Sequence, residues 1–354
     1  MAPSIPLMRR GSTLSSQFGL TDRIFASGED KAFAAAIEAG LDTVELGLHA
    51  QMRYADQLAD VTARYLLKAG GKRVRPMLTL LTAQLGDGNT PRVITAAEAV
   101  EITHLASLYH DDVMDDALMR RGVPSAQTVW GNSVAVLTGD LLFARASKLV
   151  ADLGERAIRL QADTFERLCL GQLHETIGPE PDEDPVEHYL GVLADKTGSL
   201  IAVAAQMGVV FSNAPSAYET PVVTFGEKIG VAFQLIDDVI DLASAAETTG
   251  KIPGTDLRAG VATLPLLKLR ARAPRDADAA ALLHRLETQV IGAPDGVDVR
   301  DAVAALREHD VTVETLAEAH EWARQAVAAL APLPHGPVKK ALSRFAATIV
   351  ERSS

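Results

Sequence analysis

The chain has 354 residues, is 47% hydrophobic and only 5% aromatic, and carries a formal net charge of −12. That acidic balance argues against non-specific binding of nucleic acid, and a single cysteine, Cys169, excludes a disulfide framework and fits a reducing, cytoplasmic setting. No uninterrupted apolar run of about 18 residues is present, so no transmembrane helix is expected.

Alanine and leucine dominate, and strand-like alternation is scarce, so the predicted fold class is all-α. No linker or composition shift divides the chain, which gives a flexible segment over 1–20 and one large helical domain over 21–354. Met1 to Gly19 carries Arg9 and Arg10 without the apolar core of a signal peptide. From about Asp30 to Ala69 the apolar spacing is helical, although Gly40 and Gly47 argue against one unbroken helix. Gly70 and Gly71 stop the pattern, and Pro76 suits the first turn of the next helix. After a loop at 86–91, a helix runs from near Arg92 into Asp111-Asp112-Val113-Met114-Asp115. Proline-free helical stretches follow at 135–151 and 158–177, with loops at 178–185, 212–221, 248–254 and 292–296. Cys169, between Leu168 and Leu170, reads as a small core residue. A C-terminal helix is expected over 339–352.

The first acidic pattern has a second copy, Asp237-Asp238-Val239-Ile240-Asp241. On a helix, residues i and i+4 share a face, so Asp111 projects with Asp115, and Asp237 with Asp241. One such pattern alone reads as a solvated helix end. Two, each embedded in apolar sequence, call for cations, because unpaired carboxylates are costly to desolvate. Oxygen-only donors suit a hard ion, and Mg2+ commonly shares carboxylates with substrate phosphates. The candidate metal ligands are Asp111, Asp112, Asp115, Asp237, Asp238 and Asp241.

Around these lie Gly70-Gly71-Lys72-Arg73-Val74-Arg75-Pro76, Arg120-Arg121-Gly122, Gly250-Lys251 and Gly254-Thr255-Asp256-Leu257. The set, in this order, resembles the trans-isoprenyl diphosphate synthases, and more closely their long-chain polyprenyl branch. The resemblance implies a single helical bundle of the isoprenoid synthase type with a central substrate cavity. It also implies head-to-tail condensation of isopentenyl diphosphate onto an allylic diphosphate, with Mg2+ as cofactor. By resemblance, Lys72, Arg75, His104 and Arg121 bind isopentenyl diphosphate, with Arg73 assisting. Arg120, Lys196 and Lys251 bind the allylic diphosphate, and Lys196, Thr197 and Gln234 supply polar atoms near the reacting carbons. A closing C-terminal tail, as in the family, would use Arg352. Leu118, Val261 and Thr255 depart from the family pattern, with an acid or a lysine being frequent at those places.

Three other readings stay open from sequence: a shorter-chain farnesyl or geranylgeranyl synthase, a class I terpene cyclase, and a non-catalytic subunit of a heteromeric synthase. The cyclase reading fits poorly with a full second Asp-Asp-x-x-Asp and a basic site for a second diphosphate. Product length should be set along the helix before Asp111, where Ala106 and Ser107 are small and Thr103, Ala99, Val100 and Ala96 follow deeper. A turn rises about 5.4 Å, close to one isoprene unit, which gives a product of roughly seven to ten units. The apolar stretch 200–211 is to be hidden centrally or shared with a second copy, and with the resemblance it suggests a homodimer. A lipid product leaves peripheral membrane contact open.

Overall fold

A computed structural model describes residues 28–243, 253–294 and 297–353. The N-terminal segment 1–20, Lys251, most of the loop at 248–254 and part of that at 292–296 lie outside the described residues. The chain divides into two compact units. One takes in everything up to Arg159 with Ala204–Ser216 and Pro334–Phe345; the other holds Leu160–Val203, Ala217–Leu333 and Ala346–Ser354. Both are all-α, as composition predicts. Among the described residues the only strands are the two-residue β1 (Met119–Arg120) and β2 (Val123–Pro124), an antiparallel hairpin.

The first unit opens with α1 (Gly28–Gln51), then α2 (Gln57–Ala63), α3 (Tyr65–Lys68) and α4 (Val74–Ala83). Helix α5 (Pro91–Met114) is its axis. Thr90 caps it by accepting from Val93 N at 3.3 Å, and Pro91 takes the first helical position, where a missing N–H costs nothing. Val93, Ala96, Ala97, Ile102, Leu105, Ala106 and Tyr109 are all fully buried. Enclosing a large apolar side chain of this kind stabilises by about 1.5–3 kcal/mol. The stretch 30–69 is three helices rather than one, as expected, but it breaks after Gln51 and Ala63, and Gly47 lies within α1. It lets the helix close on α5, where a Cβ would meet Glu98 Oε1 at 1.8 Å. The hairpin leads through α6 (Ala126–Trp130) to α7 (Asn132–Leu153).

In the second unit, α8 (Glu155–Ile177, from Leu160 onward) precedes α9 (Pro185–Leu193), capped by Asp184. A single π-turn, Ala194–Gly198, joins α9 to α10 (Ser199–Phe211), which belongs to the first unit from Ala204 onward. Helix α11 (Glu219–Ala243) carries the buried Phe225, Ile229, Leu235 and Ile236 and ends with the second acidic motif. It is followed by α12 (Thr255–Ala259), α13 (Leu264–Arg272), α14 (Ala277–Gln289), α15 (Arg300–Glu308) and α16 (Asp310–Ala329), while α17 (Pro337–Val350) belongs to the first unit up to Phe345 and to the second from Ala346. Leu242, Leu257, Leu266, Leu269, Leu286 and Leu306 share one core.

One open alternative is decided and one expectation is corrected. The stretch 200–211 is hidden inside the chain, with Leu200, Ala204, Val209 and Phe211 at most 4% exposed. Cys169 is exposed rather than buried. It lies on a stripe of α8 formed by Phe165, Leu173 and Ile177, of which Ile177 is 67% exposed. That stripe is an uncovered face while the adjacent Leu168 is buried, so a buried neighbour in sequence does not bury Cys169.

Candidate active site

In the first unit, α5 ends at the first acidic motif, where Asp115 N donates to Asp111 O at 2.8 Å. Asp111 is partly buried and Asp115 exposed, one turn apart. Asp112 is turned the other way. It is fully buried and accepts from Arg120 Nε at 2.5 Å. Burial pushes its carboxyl above the usual range, and the Arg120 guanidinium opposes that. The hairpin pairs Arg120 with Val123, and the left-handed backbone at Asp116 and Arg121 folds it back so that Arg120 reaches the helix end.

Beside this lies a basic pocket. Arg75 is pushed down to about 10 by burial, with Glu101 and Asp111 favouring its charge and Arg121 opposing it. Its Nε is buried and makes no hydrogen bond. A buried donor of this kind is costly unless something accepts from it. Arg121 Nη1 donates to Leu66 O at 2.9 Å and also to Gly70 O. His104 is held well below its ordinary value by burial, with repulsion from Arg75, Arg121, Arg120 and Arg73. It is neutral at pH 7 and able to donate one hydrogen bond. Lys72 is exposed on the adjoining loop. Arg73, read from sequence as an assistant in binding, is buried and aimed at protein carboxylates instead.

The second unit holds its own constellation. Asp237 pairs with Arg352 Nη1 at 3.2 Å, and that guanidinium lies 4.9 Å above the Phe233 ring. Asp238, like Asp112, faces inward: it accepts from Tyr189 Oη at 2.8 Å and Leu264 N at 3.3 Å. Burial pushes its carboxyl up to about 7, while those two bonds pull it down. Asp241 accepts from Asp256 N at 3.1 Å. Lys196 and Thr197 stand on the π-turn, a distortion that favours functional sites. Lys196 is ion-paired with Glu175, and Arg167 bridges Asp195 (2.8 Å) and Glu227 (2.5 Å), which clamps the turn. Gln234 is partly exposed on α11, beside Phe233.

Sequence reasoning passed over Glu101, Tyr189, Glu175 and Arg167. Glu101 did leave a signal: a single carboxylate in the apolar run Ala99-Val100-Glu101-Ile102 requires a buried cation partner. The other three pair across distances the sequence does not reveal.

The chain matches the Polyprenyl synthetase family over residues 56–291. It belongs to that family. It is 43% identical over 325 residues to the nonaprenyl diphosphate synthase of Mycobacterium tuberculosis, covering 91% of this chain and 95% of the relative. A decaprenyl diphosphate synthase structure from Rhodobacter capsulatus superposes with a TM-score of 0.80 at 32% identity, covering 94% of this chain and 99% of that one. The geranylgeranyl pyrophosphate synthase from Corynebacterium glutamicum, complexed with calcium and isoprenyl diphosphate, gives a TM-score of 0.79 at 38% identity, covering 93% and 99%. The fold is therefore the all-α one of the polyprenyl synthases, and the chain is a prenyl-transferring enzyme. Long- and shorter-product members share that fold equally well, so chain length must be read from side chains.

Proposed function

We propose that the chain condenses isopentenyl diphosphate head-to-tail with an allylic diphosphate, repeatedly, to give an all-trans polyprenyl diphosphate of roughly seven to ten isoprene units. The observation that carries this reading lies in the first unit. A helix end with two projecting carboxylates adjoins a half-buried arginine cluster with one buried, unmatched donor. Such a site suits two diphosphates held by different means. Asp111 and Asp115 fit the one that arrives with a metal, and Arg75, Arg121, Lys72 and neutral His104 the one that does not.

The donor set fits Mg2+. The carboxylates are all-oxygen, and among the described residues no three His, Cys, Asp or Glu side chains form a cage, so a bound ion would share its shell with phosphate oxygens. Mg2+, when bound, neutralises the leaving diphosphate and eases rupture of the allylic carbon–oxygen bond. Asp111 and Asp115 in the first unit, and Asp237 with Asp241 in support in the second, are proposed to hold Mg2+. The buried Asp112 and Asp238 orient Arg120 and Tyr189. Arg120 grips the allylic diphosphate with a charge it cannot lose, joined by Lys196 and Lys251. Carbonyl and hydroxyl dipoles of Lys196, Thr197 and Gln234 stabilise the allylic cation while the isopentenyl double bond attacks it. The released diphosphate takes the proton, so no protein base is required. Each acidic motif is proposed to serve the reaction, and residues 21–354 are proposed to act as one catalytic chain.

The test is turnover by the isolated chain in Mg2+, with products weighed by mass spectrometry. A ladder of linear prenyl diphosphates ending at seven to ten units, abolished by chelator, is the expected result. A cyclic hydrocarbon would show a cyclase, and no turnover would show a silent subunit.

The chain's assembly follows from its uncovered apolar faces: Val136, Leu137 and Leu141 on α7, and Phe165, Leu170, Leu173 and Ile177 on α8. Surfaces of this kind mark interaction sites, and a second copy is the proposed occupant. Sedimentation at micromolar concentration should show a dimer, and Leu173→Glu should shift it toward monomer. Among the described residues no helix is long and apolar enough to cross a membrane. The single cysteine suits a reducing, cytoplasmic setting, and the lipid product suits peripheral membrane contact at its release.

A further inference from the structure

One cation of the basic loop makes no use of its position in the pocket. Arg73 adopts a left-handed backbone with φ of 50° and is 4% exposed. Its Nε and Nη2 donate to the two oxygens of Glu45, at 2.7 and 3.1 Å. Its Nη1 donates to Glu101 Oε1 at 3.2 Å and to Gly70 O at 3.3 Å, and Nη2 also reaches Leu67 O at 3.4 Å. Every N–H of the guanidinium is thereby committed to protein. Glu45 comes from α1, Glu101 from α5, Leu67 O from α3 and Gly70 O from the turn between α3 and α4.

The turn is built around this fork. Gly70 O accepts from both Arg73 and Arg121. Gly71 has φ of 144°, and a Cβ there would lie 2.6 Å from Arg73 Nη1 and 2.8 Å from Arg121 Nη1. Two guanidiniums thus rest directly on the glycine backbone, and Lys72 and Arg75 leave the chain on either side of Arg73. Glu101 also favours the charge of Arg75 and of Arg121, so one carboxylate offsets the mutual repulsion of three arginines.

We propose that Arg73, clamped by Glu45 and Glu101, is a positioning residue for the isopentenyl diphosphate pocket. It does not touch substrate. It fixes the Gly70–Gly71 turn that aims Lys72 and Arg75. The inference rests on assigning that pocket to isopentenyl diphosphate. A lysine could keep the charge but not the function, because three donors on a flexible stem cannot bridge two carboxylates and two carbonyls in fixed directions.

Steady-state kinetics with each substrate varied in turn provide the test. Arg73→Lys should raise the KM for isopentenyl diphosphate roughly ten- to a hundredfold, as loss of alignment does, and leave the KM for the allylic diphosphate within about twofold. Glu45→Gln, which leaves the Glu101 bond in place, should give a smaller change of the same kind. It serves as the measurement if Arg73→Lys does not fold. An unchanged isopentenyl KM in the folded variant, or equal changes in both KM values, overturns the proposal. Lys72→Ala is run alongside. If it too leaves the isopentenyl KM unchanged, the pocket assignment has failed; if it raises that KM and Arg73→Lys does not, only the positioning role has.

Discussion

Asp237→Ala is expected to lower kcat by roughly a thousandfold while leaving thermal stability unchanged, and Asp111→Ala and Asp115→Ala should do the same. Each removes a carboxylate from a place where negative charge is in excess, so folding loses little. Arg352, the present partner of Asp237, is 28% exposed along its side chain and can turn to water. The reaction, by contrast, loses stabilisation of a charge that develops only as the allylic bond breaks, which is where such losses fall on kcat. Near-normal kcat for Asp237→Ala at saturating Mg2+ would sink the reading in which the second motif serves the reaction.

The second aspartates supply the contrast. Asp238→Ala would leave Tyr189 Oη and Leu264 N without their acceptor in a buried setting. An orphaned buried polar group costs about 1–3 kcal/mol, so this variant should melt earlier as well as turn over more slowly. Asp112→Ala should behave similarly through Arg120. Ligand and anchor are thus separable by melting temperature, although the letters of the motif are identical.

That identity explains part of what the sequence left hidden. The helical fold, the two acidic motifs and the basic turn were legible because they rest on local rules: apolar periodicity, proline and glycine punctuation, and charge in apolar surroundings. The division of labour within each motif was half legible. Residues i and i+4 share a face and the residue between them is rotated by about 100°, so Asp112 and Asp238 had to point elsewhere. What they point at could not be read, because Arg120 returns through a hairpin and Tyr189 comes from another helix. Arg73 misled for a related reason. Its neighbours Lys72 and Arg75 share its chemistry, and only the left-handed backbone at Arg73 sends it inward. Cys169 misled because an apolar stripe looks the same whether it meets its own chain or is left uncovered.

Ser107→Phe should shift products sharply shorter while sparing the first condensations. The sequence placed Ala106, Ser107 and Thr103 together at the start of the growing chain's path, but the structure distinguishes them. Ala106 is 0% exposed, as are Leu105 and Tyr109 around it, whereas His104, Ser107, Leu108 and Asp111 are partly open along one face of α5. Ser107 lies one turn below Asp111 on that face, its hydroxyl returned to His104 O at 2.9 Å, and so adds little bulk to the route. Deeper in, Thr103 donates to Ala99 O at 2.8 Å, and with Ala96 these positions stay small for several turns. A phenylalanine at 107 fills about one turn, or 5.4 Å, which is close to one isoprene unit of path, and blocks everything beyond it. The mass spectrum should then collapse to products well short of seven units, with the rate of the first addition kept within a few-fold. Ala106→Phe is the informative companion. Its larger side chain must displace closed neighbours, so it should cost about 1–3 kcal/mol of stability by overpacking. If Ala106→Phe shortens the product and Ser107→Phe does not, the chain grows along the enclosed face of α5, by parting helices that are in contact in this structure.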